Sequence, residues 1–187
     1  MPPAVRITKE KIIQTAVSLV RRKGPEAVNA RSIAAELQCS TQPIFSNFAT
    51  MEELRLAVVE RSDALCNEYM KREVDSGVYP PYKANGMAYI RFAKEEKELF
   101  KLLYMRDRSG ESIPAESTGA AQMEEIVHAN TGLDSADAKL FHLEMWAYVH
   151  GIATMFATGF LDLDWELVSK MLTDAYQGLR KQFLMEG

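Results

Sequence analysis

Apolar residues recur at helical spacing in segment after segment of this chain, and nowhere do they alternate with a period of two. That pattern confines the chain to an all-α fold. Ile12, Ile13, Ala16, Val17 and Val20 fall at i, i+1, i+4, i+5 and i+8, one stripe of an amphipathic helix. Thr8 is placed to cap it, and Gly24-Pro25 ends it. A short helix is expected over 30–37, with Asn29 as its cap, then a turn at Gln38-Cys39-Ser40. A second short helix is expected over 41–47. Ser40 would cap it, and Pro43 sits in its first turn, where a missing N–H does little harm. Thr50 opens a long helix to about residue 74, with Glu52 and Glu53 set well against its dipole.

Ser76-Gly77 and Pro80-Pro81 then break the chain. Further helices are expected over 81–94, 97–106, 119–130, 135–158 and 165–185. The Ser-, Gly- and charge-rich stretch 107–118 reads as a loop. The total is about nine helices.

The bulk properties limit the function classes. The 187 residues are 47% apolar and 26% charged, ordinary for a folded soluble protein. No apolar run approaches a membrane span, and the start (Met1-Pro2-Pro3, then Arg6, Lys9 and Lys11) lacks a leader's apolar core. Cytoplasmic residence with no membrane partner is the expectation. Cys39 and Cys66 form no CxxC pair. They read as ordinary buried thiols, with a redox role for Cys39 as the sharper alternative. The net charge of −4 is unevenly spread. Residues 1–62 carry nine Lys/Arg against six Asp/Glu, and residues 63–187 carry thirteen against twenty. A basic head on an acidic body suits a nucleic-acid partner.

The most informative segment is the pair of short helices around the three-residue turn. Ile33, Ala34 and Leu37 are expected to face inward from the first, and Ile44, Phe45 and Phe48 from the second. Such anchors fix the crossing of two elements too short to be stable alone. Ser40, Thr41, Gln42, Ser46 and Asn47 remain outward, small or polar and uncharged, suited to base edges and phosphate oxygens.

The run from Ile33 through Leu54 resembles the DNA-binding domain of the TetR/AcrR family of repressors, and the likeness covers about residues 8–62. The resemblance implies a helix-turn-helix head over 1–50, a connecting helix over 51–74 and a ligand-binding and dimerisation domain over 75–187. It implies double-stranded operator DNA as a partner, and release of that DNA when a small molecule enters the C-terminal domain. By position, Arg31 matches a residue that reaches a base from the first short helix. Thr41, Gln42 and Pro43 match base-touching positions. Phe45 and Asn47 stand where the family often has Tyr and His, and Met51 where it often has a phosphate-binding Lys. Thr50 completes the expected DNA-facing set with Ser40 and Ser46. Gln38 replaces the usual turn Gly, which strains the turn if the residue keeps positive φ. Arg6, Lys9 and Lys11 are available for phosphates.

A second match lies in the body. Trp146-Ala147-Tyr148-Val149-His150-Gly151 has the WxxxHG pattern of a TetR subgroup named for Trp, His and Gly. Trp146 and His150 share a face at i, i+4. Gly151 is expected to let another helix approach closely. Tyr89, Phe92, Tyr104, Trp146 and His150 combine apolar bulk with a few polar tips on helices that the resemblance implies form the pocket, and are the expected lining for a small apolar ligand.

The histidines, His128, His142 and His150, lack metal-ligand spacing. There is no Gly-rich phosphate loop and no serine at a strand-turn-helix elbow. No metal, cofactor or catalytic residue is expected.

The last two helices carry more apolar surface than one core needs, on the final one Trp165, Leu167, Val168, Met171, Leu172, Ala175, Tyr176, Leu179 and Phe183. The resemblance implies that they pair across a two-fold axis. A homodimer sets two recognition helices about 34–36 Å apart, on a palindromic operator. Two other readings stay open: a protein-interaction module whose head has lost DNA binding, and a helical enzyme acting on a small apolar substrate around His150 and Trp146. Repression and activation are not distinguished.

Overall fold

The computed structural model describes residues 7–106 and 118–185. Nine α-helices and no strand occur among them. In chain order these are α1 (Lys9–Lys23), α2 (Ala30–Glu36), α3 (Gln42–Asn47), α4 (Met51–Asp75), α5 (Pro81–Glu95), α6 (Lys97–Tyr104), α7 (Thr118–Thr131), α8 (Ser135–Thr158) and α9 (Trp165–Met185), with a 3-10 turn at Pro25–Ala27. The all-α expectation is met. The expected loop over 107–118 lies outside the described residues except for Thr118, which already opens α7. Arg6 also lies outside them.

The chain divides into two compact units. The first takes the described residues up to Asn67 together with Glu96–Arg106. Its framework is α1, whose cap is Thr8: Lys11 N–H donates to Thr8 Oγ1 at 3.2 Å. Ile12, Ala16, Val17, Leu19 and Val20 are buried along its inner stripe. Glu10 near its start and Arg21, Arg22 and Lys23 at its end match the helix dipole. Helices α2, α3 and α6 pack against α1. Arg21 holds Glu96, just ahead of α6, by a two-pronged contact at 2.8 and 2.7 Å. At Gly24 (φ 82°) the backbone at the α1 terminus favours glycine, and an added Cβ would lie 3.2 Å from Glu98 Oε2, which would have to shift by a few tenths of an ångström.

The second unit takes Glu68–Glu95 and the described residues beyond 107. Its centre is α8 against α5, with α7 and α9 packed alongside. Asp134 caps α8 by accepting from Ala136 N–H at 2.9 Å and Asp137 N–H at 3.0 Å. Gly159 (φ 70°) closes it. Val127, Leu133, Ala138, Phe141 and Met145 form a buried cluster that Tyr82, Tyr176, Leu179 and Phe183 cover. Phe141 meets Tyr176 edge-on at 5.2 Å and Phe183 at 5.7 Å. Gly86 lets α5 come close to its neighbours, since a Cβ there would lie 3.1 Å from Leu172 Cδ2 and 3.5 Å from Val149 Cγ2. Close approach was expected at Gly151 instead. There an added Cβ meets nothing within 4 Å, because Gly151 sits away from the stripe of α8 that faces the unit's core.

No helix among the described residues is long and apolar enough to cross a membrane.

Candidate nucleic-acid interface

Helix α2 is capped as expected, with Ser32 N–H donating to Asn29 Oδ1 at 2.9 Å. Its other end is a Schellman-type stop. Cys39 N–H reaches Ala34 O at 3.0 Å, and Gln38 N–H reaches Ala35 O at 3.2 Å. This wrap requires a left-handed residue between them. Gln38 takes it, at φ 53°, the single non-glycine residue with positive φ among those described.

The start of α3 departs from expectation. Its cap is Thr41 rather than Ser40, and the Thr41 side chain makes no capping hydrogen bond. Thr41 is already helical (φ −74°, ψ −12°), so its hydroxyl does not fold back onto the first turn. Pro43 lessens the need, because one of the donors to be capped is absent.

Ile44 and Phe48 are buried anchors, and Ile33 and Ala34 answer them from α2. Leu37 is only half-buried. Phe45, expected inside, is 51% exposed. It lies one residue from Ile44, about 100° around the helix, so it cannot share the inward face.

The remaining expected DNA-facing residues divide by orientation. Arg31, Ser40, Gln42, Ser46 and Thr50 are exposed, and Thr41, Pro43 and Asn47 are half-buried. Ser46 Oγ donates back to Gln42 O at 2.9 Å. Asn47 Nδ2 donates to Pro43 O at 2.7 Å and to Ile7 O at 3.4 Å, tying α3 to the approach to α1. Thr50 Oγ1 accepts from Glu53 N–H at 3.1 Å, the expected cap of α4.

A contact not foreseen from the sequence braces this surface. Glu53 accepts from Lys9 Nζ at 2.9 Å and from Ala49 N–H at 2.8 Å. Lys9, and then the Ala49 amide, hold the Glu53 carboxyl below its ordinary range. Lys9 also lies over the Phe48 ring at 4.7 Å. It is thus engaged in positioning α4 against α1. The two residues are 44 apart, and no local pattern announces such a pair.

The expected pocket residues fall in both units. In the second unit, Tyr89, Trp146 and His150 come together. Tyr89 Oη is 3.0 Å from His150 Nδ1, and the His150 ring stacks on Trp146 at 4.9 Å and 16°. Tyr89 is buried, Trp146 is 43% exposed, and burial lowers the His150 pKa. Phe92 is buried in the same unit and meets Tyr69 edge-on at 5.4 Å. Tyr104 belongs to the first unit, where it packs on Phe100 at 5.0 Å and donates to Cys66 Sγ at 3.5 Å.

A second Tyr–His pair went unnoticed. Tyr82 Oη is 3.0 Å from His142 Nδ1. Tyr82 and Tyr89 are seven residues apart and His142 and His150 eight, each close to two helical turns, and this near-equal spacing is the signal that could have found it. His128 Nδ1 lies 2.5 Å from Leu133 O. Of the cysteines, Cys66 is buried, which pushes its thiol up to about 11, whereas Cys39 is only half-buried.

Two short helices about a tight turn, framed by α1 and α4, with an all-helical second unit, define a helix-turn-helix regulator fold. Residues 82–175 match the family described as tetracyclin repressor-like, C-terminal domain, a span that contains Trp146, His150 and Gly151. The chain belongs to the TetR family of transcriptional regulators. The fold is similar to that of a protein of unknown function from Rhodococcus sp. RHA1, at 22% identity and TM-score 0.73, over 98% of this chain and 99% of that one. It is also similar to a TetR-like transcriptional regulator from the same organism, at 18% identity and TM-score 0.68, over 96% and 98%. The multidrug binding protein EbrR, complexed with imidazole, is similar at 20% identity and TM-score 0.58, over 89% and 93%. No curated protein matches the chain significantly.

Proposed function

We propose that this protein is a cytoplasmic, homodimeric repressor that binds a palindromic operator through α3 and is released by a small apolar ligand. The observation that carries the reading is the division of α3 into two faces. Ile44 and Phe48 lock it into the head, while Gln42, Phe45 and Ser46 face solvent. A helix so held, in the more basic part of the chain, fits the major groove. The proposed contact set is Arg31, Ser40, Thr41, Gln42, Pro43, Phe45, Ser46, Asn47 and Thr50. Dimerisation is supported by the apolar side chains left exposed on the last two helices, Leu140, Leu143 and Leu167 among them. The ligand side is assigned to Tyr89, Phe92, Trp146 and His150, with Tyr104 as a further candidate. The ligand acts by population shift: favouring the released state by a few kcal/mol suffices.

The test is a gel shift with the DNA upstream of the protein's own gene. Gln42→Ala and Arg31→Ala are each expected to weaken binding by about 1–3 kcal/mol with the fold intact. Unchanged affinity in both variants would discredit the assignment. A second reading, a head converted to protein interaction, is favoured by the exposure of Phe45 and Leu56. Absence of any shifted band at low salt would select it.

A further inference from the structure

We propose that Phe45 is a specificity-determining residue that reads the C5 methyl group of a thymine in the major groove. The inference rests on the DNA-binding reading above and deepens it.

Phe45 stands outward on a helix whose other large apolar residues are fully engaged. Ile44 and Phe48 are at most 1% exposed, so 51% exposure of Phe45 is not loose packing of α3 as a whole. Helical geometry sets Phe45 beside Gln42, three residues earlier, on the outward flank. The polar residues that follow are turned back on the protein. Ser46 Oγ is bonded to Gln42 O, and Asn47 Nδ2 to Pro43 O and Ile7 O. Gln42 and Phe45 therefore dominate what the middle of α3 presents to a duplex.

A phenyl ring neither donates nor accepts a conventional hydrogen bond. It has nothing to offer a phosphate oxygen or the heteroatoms of a base edge. The one apolar group that base pairs display in the major groove is the thymine methyl. Beside it, the Gln42 amide is matched to the N6/N7 edge of adenine. The two side chains together favour a half-site with A·T pairs at neighbouring steps. Covering the exposed ring with a methyl group removes apolar surface from both partners, which is favourable without any hydrogen bond.

The test starts from duplexes selected out of a randomised pool by the full-length protein. In a retained duplex, each thymine is replaced in turn by deoxyuridine, which deletes only the methyl. At one thymine per half-site the wild-type protein is expected to lose about fourfold in affinity, as for one buried methyl-sized group. Phe45→Ala is expected to bind more weakly and to show no loss on the same replacement, while Phe45→Leu retains part of the discrimination. Because the side chain is exposed, both variants should melt like the wild type. Retained duplexes in which every thymine tolerates uracil, or equal discrimination by Phe45→Ala, overturn the inference alone. A pool that yields no retained duplex overturns the DNA-binding reading, and this inference with it.

Discussion

Gln38 shows how a single backbone angle can conflict with the residue that occupies it. A side chain with a Cβ held at φ 53° costs about 1–2 kcal/mol relative to its relaxed conformations, whereas glycine enters this region freely. Glycine loses more chain entropy on folding, which offsets part of the gain. Gln38→Gly is therefore expected to stabilise the protein by roughly 0.5–1 kcal/mol, read as a higher urea midpoint with an unchanged m-value. Gln38 is exposed, so no packing is lost in the exchange. An unchanged or lower midpoint would mean that the turn relaxes around glycine. The strain was legible in the sequence through the family resemblance, which sets Gln38 at the place of the usual turn Gly. The orientation of Phe45 was legible only in part: its apolar character groups it with Ile44 and Phe48, whereas three anchors in five residues exceed one helical face, and it is Phe45 that is left exposed.

The packing of α5 on α8 illustrates what elements contribute beyond single residues. Along α5 and α8, Tyr82 meets His142 and Tyr89 meets His150, each at 3.0 Å. Burial lowers the pKa of both histidines, with Glu124 opposing this in part at His142. The sign follows directly. Above the unfolded histidine value both states are neutral and nothing is lost. As pH falls below it, the unfolded chain takes up protons first and is favoured. The melting temperature is expected to drop between about pH 7 and pH 5.5, and less steeply in a His142→Asn/His150→Asn variant. Parallel pH profiles for the two proteins would show that the pairs do not contribute. On the other side of α8, Leu140 and Leu143 are exposed, and a Cβ at Gly151 meets nothing within 4 Å. Gly151→Leu should therefore fold, with a helix-propensity gain of up to about 1 kcal/mol. In the proposed homodimer it should also block close packing of the second subunit, giving a monomer by light scattering at micromolar concentration where the wild-type protein is dimeric. A variant that stayed dimeric would move the interface away from this face of α8.

For the molecule as a whole, charge placement matters more than net charge. The chain is acidic, yet its first 62 residues are on balance basic. Lys9, one of those cations, is engaged by Glu53 and the Phe48 ring. In the proposed complex with DNA residue 51 would face a phosphate, and Met51 carries no charge to meet it. Met51→Lys is expected to strengthen operator binding and to steepen the dependence of log K on log salt by about 1 per subunit, hence about 2 per dimer. Fluorescence anisotropy over a salt series measures this, and an unchanged slope would place residue 51 away from the duplex backbone.

Helix number, helix type and most boundaries were set by the sequence itself, because apolar period, caps and breakers act within a few residues of one another. Thr8, Asn29, Thr50 and Asp134 each lie within three residues of the amide they cap. The family resemblance of the head was visible for the same reason: its anchors and turn occupy one short run. Only the tertiary structure decided which residues share a surface. It joined α6 to α1 through Arg21 and Glu96, tied Asn47 to Ile7, and brought Tyr89 and Trp146 to His150. Those outcomes depend on the relative rotation and distance of whole helices. Both are fixed by the collective fit of side chains far apart in the chain, which local spacing does not encode.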